Sequence, residues 1–156
     1  MNTKHFSEVY LGADHGGFEY KEVIKPWLEA EGYTVHDCGA FKLDEQDDYP
    51  EFAFKVAEAV AANSQSAGVL LCRSGAGMII AANKVPGCRA VVASNEQQAR
   101  HSREHNGANV VALSGDWMSI DEMKEVLATF LNTPSATEER HLRRIEQITT
   151  YEQNRK

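Results

Sequence analysis

The segment AGVLLCRSGAG at 67–77 places Cys72 between an apolar run and a glycine-rich turn. The run is typical of a buried strand, and a turn that leads into a helix leaves backbone N–H groups without intrahelical acceptors. Such groups bind anions, and a helix N-terminus lowers a thiol pKa below its usual value of about 8.5. This arrangement suits a reaction that removes a proton from carbon and stabilises the resulting anion. The alternative is that Cys72 is a small buried hydrophobe that ends a core strand.

The glycine spacing of this turn does not fit the common nucleotide-binding loops. Gly75 and Gly77 begin the pattern GxGxxG, but Ile80 occupies the position of its third glycine. No lysine followed by serine or threonine comes after the turn, as a P-loop requires. We therefore expect the protein to use no dinucleotide and no other cofactor.

Short apolar runs alternate with longer amphipathic segments along the chain. The runs predict strands at 9–13, 34–37, 68–72, 90–93 and 110–113, and the segments between them predict helices at 18–31, 50–63, 77–84, 96–105 and 120–132. Capping-box spacing indicates helix starts at Ser94 with Gln97, Ser119 with Glu122 and Ser135 with Glu138. The alternation predicts an α/β fold, a Rossmann-like three-layer α/β/α arrangement around a five-stranded parallel sheet.

The chain has 156 residues, enough for one domain over 1–156 with a full hydrophobic core. Its formal charge of −7 argues against nucleic acid or an anionic membrane as the main partner. No apolar run approaches the roughly 20 residues of a membrane span, and the first residues, MNTKHFSEVY, lack the apolar core of a signal peptide. We therefore expect a cytoplasmic protein.

The cysteines are Cys38, Cys72 and Cys88, an odd number without a CxxC pair. This pattern argues against a disulfide framework and against a zinc knuckle. Cys38 and Cys88 have no neighbours that suggest chemistry, and we interpret both as structural.

An extra C-terminal helix is predicted at about 137–153. Its apolar residues Leu142, Ile145, Ile148 and Tyr151 recur every three positions and form a stripe. Such a helix packs either on its own domain or on a second subunit, and the sequence does not choose between the two. Arg140 and Arg144 share one face of this helix at i, i+4 spacing and suit a phosphate group, although a solvated basic face is the simpler interpretation.

Four polar clusters follow predicted strands, at 14–17, 72–77, 94–95 and 114–116. Ligands of a doubly wound sheet bind outside the carboxyl ends of its strands, so these clusters are expected at one edge. Asp14 and His15 fit either a ligand-binding pair or a helix-capping aspartate beside a solvated histidine. His101 and His105 lie four residues apart, as in many metal sites, but no third ligand is evident and we expect a solvated His101. His105 ends its helix and can project over the edge.

Taken together, these segments resemble the type B ribose-5-phosphate isomerases, whose relatives include the galactose-6-phosphate isomerase subunits. The matching segments run in the same order over nearly the whole chain: GADHGGF at 12–18, DYP at 48–50, GVLLCRSGAGMIIAANK at 68–84, GCRAVVAS at 87–94, SREHNGANVVAL at 102–113 and ERHLRRIEQI at 139–148.

The resemblance implies a metal-independent aldose–ketose isomerase that interconverts ribose 5-phosphate and ribulose 5-phosphate through a cis-enediolate. It makes Cys72 the base between C1 and C2, with assistance from the Ser74 hydroxyl. His105 opens the furanose ring, and Asn106 contacts the enediolate. The remaining site residues implied in the same subunit are Asp14 and Tyr49 around the sugar, His15 at the phosphate, and the N–H groups of Gly75, Ala76, Gly77 and Met78 at the enediolate oxygen.

The resemblance also implies dimers or dimers of dimers, in which Arg140 and Arg144 reach the phosphate of the partner subunit. The chain departs from the family pattern in two places. Arg73 follows the cysteine where the family usually has glycine, and 114–116 reads Ser-Gly-Asp where family members often carry a phosphate-binding arginine. Arg73 either replaces that arginine at the substrate or pairs with an acidic neighbour.

These departures leave other substrates open. The same chemistry on another phosphorylated aldose, such as galactose 6-phosphate, allose 6-phosphate or a tetrose phosphate, is one alternative. A non-catalytic phosphosugar-binding domain is another, although such a domain does not need Cys72, Ser74 and His105 together. A redox sensor is disfavoured because no second cysteine lies near Cys72 in sequence.

Overall fold

The computed structural model describes residues 4–155, and their strands form one parallel sheet in the order β2-β1-β3-β5-β4. The strands are β1 (Glu8–Ala13), β2 (Thr34–Asp37), β3 (Ser66–Cys72), β4 (Ala90–Val92) and β5 (Val110–Ser114). Each strand is followed by a helix, as crossover connections between parallel strands require. The predicted α/β fold with a five-stranded parallel sheet is confirmed.

Six helices pack around this sheet or follow it in the described part of the chain. They are α1 (Phe18–Ala30), α2 (Tyr49–Ala62), α3 (Ala76–Ala82), α4 (Glu96–Asn106), α5 (Ile120–Asn132) and α6 (Glu139–Gln153). Their bounds agree with the predicted segments to within two residues. None of these helices has the length and apolar character needed to cross a membrane.

The two faces of the sheet carry separate hydrophobic clusters, which makes the three layers. On one face, Ile24 of α1 and Phe130 of α5 are fully buried. On the other, Val56 of α2 and Met78 of α3 are fully buried. The central strands β3 and β5 are buried along their whole length, which explains their continuous apolar sequences. Cys72 is therefore held at the end of the most enclosed strand.

One of the three predicted capping boxes forms, the one at the start of α5. There the Glu122 N–H donates to the Ser119 hydroxyl and the Ser119 N–H donates to the Glu122 carboxylate. The prediction at Ser94 is wrong by one residue, because Asn95 caps α4 by accepting from the Gln98 N–H at 2.9 Å. The prediction at Ser135 is also wrong, since α6 starts after Glu138 and has no side-chain cap. Spacing alone does not specify which residue takes the extended cap conformation.

The C-terminal helix α6 packs against α4 and leaves much of its apolar stripe uncovered. His141 is 4% exposed. Ile145 is half-buried and packs on Gly107 at the end of α4. A Cβ added to Gly107 would lie 3.1 Å from the Ile145 Cδ1 atom. The other stripe residues stay exposed to 48%, 50% and 63%: Leu142, Ile148 and Tyr151.

The start of α1 is pressed against β3, and this contact can be tested. A Cβ added to Gly17 would lie 2.1 Å from the Leu71 carbonyl oxygen, and a backbone atom cannot move aside cheaply. We expect Gly17→Ala to lower the thermal midpoint by roughly 5–10 °C at a fixed protein concentration, as overpacking against backbone does. Gly87→Ala is the control, because its nearest atom, Ala61 Cβ, is 3.4 Å away and only the positive φ of +85° is strained. Equal stability of the two variants would contradict this assignment.

Candidate active site

The loops that follow β3 and β5 are bonded to each other at the carboxyl edge of the sheet. The Gly115 N–H donates to the Cys72 carbonyl (N···O 2.8 Å), and the Asp116 N–H donates to the Arg73 carbonyl (3.0 Å). The Ser114 hydroxyl donates to the same Arg73 carbonyl (2.6 Å). These bonds position the thiol-bearing loop from the neighbouring strand.

The loop after β1 joins the same edge. A Cβ on Gly16 would lie 3.1 Å from the Arg73 nitrogen and 2.4 Å from its Cγ atom, so the two loops are in direct contact. Three of the four clusters expected at this edge therefore meet there. In the fourth cluster, the Ser94 hydroxyl donates to the Gln98 side chain and Asn95 caps α4, so both side chains are used locally.

Cys72 ends β3 with 6% of its surface exposed. The Gly75 N–H donates to its sulfur at 3.0 Å. Burial raises the pKa of the Cys72 thiol above its usual range, and the N–H groups of Gly75, Ser74 and Met78 offset this only in part. The expectation of a lowered pKa from the helix N-terminus is therefore wrong for the single chain. The helix α3 has only seven residues, whereas the apolar cluster that encloses the sulfur is extensive.

The turn after Cys72 shapes a small cradle of N–H groups. Gly75 has a φ of +81°, a left-handed conformation that favours glycine. The Ala76 N–H donates to the Ser74 hydroxyl at 3.2 Å, so a predicted anion-binding donor is used within the turn. Gly77 and Met78 lie in the first turn of α3, where N–H groups have no intrahelical acceptor. The Met78 N–H also faces the Cys72 sulfur, so the Gly77 N–H is the donor best placed for a ligand.

Tyr49 packs directly on this turn. A Cβ on Gly77 would lie 2.9–3.1 Å from the Tyr49 ring atoms, so the ring covers the glycine face. Tyr49 is the first residue of α2 and is 40% exposed. The predicted sugar-pocket tyrosine and the thiol-bearing turn are therefore adjacent.

Asp14 and His15, the predicted pair after β1, have different environments. Asp14 is buried and accepts hydrogen bonds from the N–H groups of Gly16 (2.9 Å) and Gly17 (3.2 Å). Burial raises the pKa of the Asp14 carboxyl. Asp14 therefore closes the turn before α1 and does not cap the helix, whose N-cap is Gly17, so the capping interpretation is wrong. His15 is half-buried rather than fully solvated.

Asp47 is a site residue that the sequence analysis missed. Its carboxylate Oδ1 accepts from the backbone N–H of His15 at 3.1 Å and is bonded to the ring Nδ1 of the same residue at 2.7 Å. Its Oδ2 atom is buried and has no hydrogen-bond partner among the described residues. The hydrogen bond between Asp47 Oδ1 and the His15 ring raises the pKa of the imidazole and favours its cationic form. The only signal in sequence was that Asp47 directly precedes the DYP motif at 48–50.

Asp14, His15 and Asp47 also form a group with metal-binding side chains. Within residues 4–155, theirs are the only three such ligand atoms that lie within 4.8 Å of one another. Their mutual and backbone hydrogen bonds already use Asp14 Oδ1, Asp47 Oδ1 and the His15 ring Nδ1. Metal-independent chemistry stays a prediction.

His105 lies in a stack of three imidazoles. Its ring centroid is 3.9 Å from that of His101 and 4.3 Å from that of His141. His101 is exposed as expected, but it also covers one face of His105. His141 was missed because nothing in sequence distinguishes it on α6. It is buried, its Nε2 has no hydrogen-bond partner among the described residues, and burial lowers its pKa. Among residues 4–155, these histidines are not part of a group of three ligand atoms within 4.8 Å of one another.

The site residues fall into two groups that no hydrogen bond or ring contact joins within the described chain. One group surrounds Cys72. The other contains His105 and Asn106 at the end of α4 together with the arginines of α6. The Arg140 Nε donates to Glu138 at 2.8 Å, and both Arg140 and Arg144 are exposed.

Cys38 and Cys88 are free thiols outside both groups. Burial raises the pKa of Cys88 to about 12 and also raises the pKa of Cys38. Both thiols are therefore protonated at neutral pH, in agreement with a structural role.

The Asp47–His15 bond gives a pH-dependent prediction. Because the pKa of His15 is raised on folding, the charged pair contributes stability below the unfolded value of 6.5, and this is lost as pH rises through the folded value. We expect Asp47→Asn to lower the urea midpoint more at pH 6 than at pH 8.5, and to lower the His15 titration midpoint in NMR spectra. Asp48→Asn, which removes the same charge from the exposed neighbour, is the control. An unchanged His15 titration would refute this role of Asp47.

Comparison with known proteins identifies relatives over almost the whole chain. The family model described as Ribose/Galactose Isomerase matches residues 9–148. Ribose-5-phosphate isomerase B of Mycobacterium tuberculosis H37Rv is 42% identical over 144 residues, which cover 92% of this chain and 89% of the relative. The protein of the same name from Escherichia coli K12 is 38% identical over 148 residues, with 95% and 98% covered.

Solved structures agree with these matches. Ribose-5-phosphate isomerase B from Mycoplasma genitalium with bound ribulose-5-phosphate superimposes with a TM-score of 0.90 at 36% identity, covering 94% of this chain and 97% of that one. The Clostridium thermocellum protein gives a TM-score of 0.90 at 40% identity, with 96% and 99% covered. The resemblance drawn from the sequence motifs is confirmed. The chain belongs to the ribose/galactose isomerase family of enzymes.

Proposed function

We propose that this protein interconverts D-ribose 5-phosphate and D-ribulose 5-phosphate through a cis-enediolate, with Cys72 as the base. The observation that carries the proposal is the Cys72 thiol beside the first-turn N–H groups of α3, with the Gly75 N–H 3.0 Å from its sulfur. Carbon acids of this kind need a base and a stabilised oxyanion at the same place, and the turn offers both. The relatives named ribose-5-phosphate isomerase B support the choice of substrate.

The proton path has two parts. The Cys72 thiolate takes the proton from C2 of the open-chain aldose, and the electron pair moves into the C1–C2 bond and onto O1. The same thiol then returns the proton to C1, while the Ser74 hydroxyl assists the transfer of the other proton from O2 to O1. The N–H groups of Gly77 and Met78, with those of Gly75 and Ala76 as they are released, stabilise the developing charge on oxygen.

The raised pKa of Cys72 requires a source of positive charge during the reaction. Nearby cations favour the thiolate form. His15, whose pKa is raised by Asp47, provides one such charge at the same edge of the sheet. Arg140 and Arg144 of a second copy provide others.

The other residues bind and open the sugar. Asp14 and Tyr49 contact the sugar hydroxyls beside the thiol-bearing turn, and His15 and Arg73 contact the phosphate. His105 transfers the proton that opens the furanose ring, with its ring plane held by the stacked His101 and His141. Asn106, exposed at the end of α4, contacts the enediolate.

We place this reaction in a cytoplasmic homodimer or dimer of dimers with a shared active site. The two groups of site residues are not joined within one chain, and the arginines of α6 are exposed. The uncovered residues Leu142, Ile148 and Tyr151 give α6 an apolar face that a second copy can bury. Closing the site between two copies brings Arg140 and Arg144 to the phosphate.

The same chemistry on a different phosphorylated aldose is the second candidate. The family description itself includes galactose isomerases. A coupled assay with ribose 5-phosphate, galactose 6-phosphate, allose 6-phosphate and erythrose 4-phosphate decides between them by kcat/KM. If the enzyme prefers a six- or four-carbon sugar phosphate, the proposed substrate is wrong but the proposed isomerisation stands. No turnover of any of them by folded protein supports a non-catalytic phosphosugar-binding domain.

Cys72→Ala tests the base. We expect isomerase activity to fall by at least about 10²-fold, because loss of a general base in a positioned site costs roughly 10²–10⁴-fold. Circular dichroism and the thermal midpoint check that the fold is intact. Cys88→Ala removes the other buried thiol and should keep wild-type activity. Turnover of Cys72→Ala within tenfold of the wild type would remove Cys72 as the base.

Mixing two inactive variants tests the shared site. Cys72→Ala and Arg140→Ala/Arg144→Ala are each expected to be weakly active, but mixed dimers contain one site with neither change. Unfolding and refolding an equal mixture should restore roughly a quarter of wild-type activity, as random pairing in a two-fold dimer predicts. The control is each variant refolded alone. No recovery in a mixture shown to form mixed dimers means that both groups come from one chain.

A further inference from the structure

The two residues that depart from the family pattern are bonded to each other. The Arg73 Nε donates to Asp116 Oδ2 at 3.3 Å. The pair lies at the carboxyl edge of the sheet, with the side chains 69% and 40% exposed. Exposed pairs contribute only about 0–1 kcal/mol to stability, so fold stability alone does not account for this pair at the mouth of the site.

The backbone beneath the pair is rigidly held. The Arg73 carbonyl accepts from both the Ser114 hydroxyl and the Asp116 N–H. The Gly115 carbonyl in turn accepts from the Tyr20 hydroxyl at 2.7 Å. The Asp116 carboxylate therefore extends from a fixed loop, and Arg73 is the long side chain that it can orient.

The Arg73 side chain passes the loop after β1, which carries His15 and Gly16. Its Cγ lies so close to Gly16 that a Cβ there would be 2.4 Å away, and Gly16 follows His15 directly. Its Nε then meets Asp116. The Arg73 side chain therefore runs from the loop after β1, where its Cγ contacts Gly16, to the loop after β5, where its Nε meets Asp116.

Asp116 engages only one nitrogen of the guanidinium. The terminal nitrogens of Arg73 donate no hydrogen bond to any residue of 4–155. A carboxylate that competed with a ligand for this arginine would take the bidentate geometry that guanidinium groups favour. Contact at Nε alone leaves the two terminal amino groups available to a second anion.

We infer that Asp116 is a positioning residue that orients Arg73 to bind the substrate phosphate, so that carboxylate, guanidinium and phosphate form a chain of alternating charge. This inference rests on the proposed function for its substrate and adds the source of the phosphate contact in the same chain. The two departures from the family pattern then act together. Arg73, on the loop after β3, is the cation, and Asp116, on the loop after β5, is its counter-ion.

The direction of the change in KM for Asp116→Asn distinguishes two roles of Asp116: orienting Arg73 toward the phosphate, or competing with the phosphate for Arg73. If Asp116 orients Arg73, Asp116→Asn weakens phosphate binding; if Asp116 only repels the anion or occupies the arginine, the same change strengthens it. We expect Asp116→Asn to raise KM for ribose 5-phosphate about two- to fivefold with kcat within about twofold, because exposed ion pairs contribute up to about 1 kcal/mol and 1.4 kcal/mol is a tenfold change in affinity. Asp121→Asn, which removes the same charge from an exposed aspartate on α5, is the matched control and should change neither constant.

A double-variant cycle tests the link between the two residues. Arg73→Gln should raise KM by at least about tenfold, as loss of a charge-assisted phosphate contact does. Adding Asp116→Asn to it should have no further effect, because the carboxylate then has nothing to orient. Additive effects, unchanged KM in Asp116→Asn, or tighter binding by Asp116→Asn overturn the inference.

Inorganic phosphate gives a readout that does not depend on turnover. The shift of the thermal midpoint with phosphate concentration should be smaller in Asp116→Asn and Arg73→Gln than in the wild type and Asp121→Asn. If the wild type isomerises no phosphosugar but this pattern holds, the proposed function fails and the positioning role stands. If the wild type is active and the phosphate response of all four proteins is equal, the positioning role fails and the proposed function stands.

Discussion

The geometry of the carboxyl edge depends on the hydrogen bonds that hold the last peptide carbonyl of β3 and the first one after it. The Cys72 carbonyl accepts from Gly115, and the Arg73 carbonyl accepts from Ser114 and Asp116. A thiol on an unrestrained loop could not keep its distance to the N–H groups of the next turn. Because these bonds come from the adjacent parallel strand, the position of Cys72 is set by the pairing of β3 with β5. Everything proposed for the site requires that pairing.

Charge at this edge is arranged in cation–carboxylate pairs. His15 is bonded to Asp47, and Arg73 is bonded to Asp116. A chain with a formal charge of −7 repels an anionic substrate at long range, so local cations have to be oriented rather than merely present. In each pair the carboxylate occupies one side-chain nitrogen of its partner. The remaining donors can face a ligand without losing their counter-ion, which is the physical basis of both the proposed phosphate contact and the inferred positioning role.

The fold was predictable from sequence to a large extent because burial leaves a direct signature in residue type. The fully buried strands β3 and β5 are continuous apolar runs, and their bounds were predicted to within two residues. Capping boxes were less predictable, since only the one at Ser119 forms while Asn95 replaces Ser94. The direction of the Cys72 pKa was predicted wrongly because the pattern Cys-Arg-Ser-Gly reveals the nearby N–H groups but not the depth of burial.

The sequence by itself determined the family, the order of strands and helices along the chain, and the identity of the thiol, histidine and arginine candidates. These follow from local patterns and from residues that lie next to one another in the chain. Only the tertiary structure decided that Asp47 holds His15 across 32 positions, that His141 stacks on His105, and that Arg73 meets Asp116 across 43 positions. Such contacts depend on the order β2-β1-β3-β5-β4, which brings distant loops to one edge. No spacing rule along a single sequence encodes which of several exposed carboxylates a folded sheet will place beside a given cation.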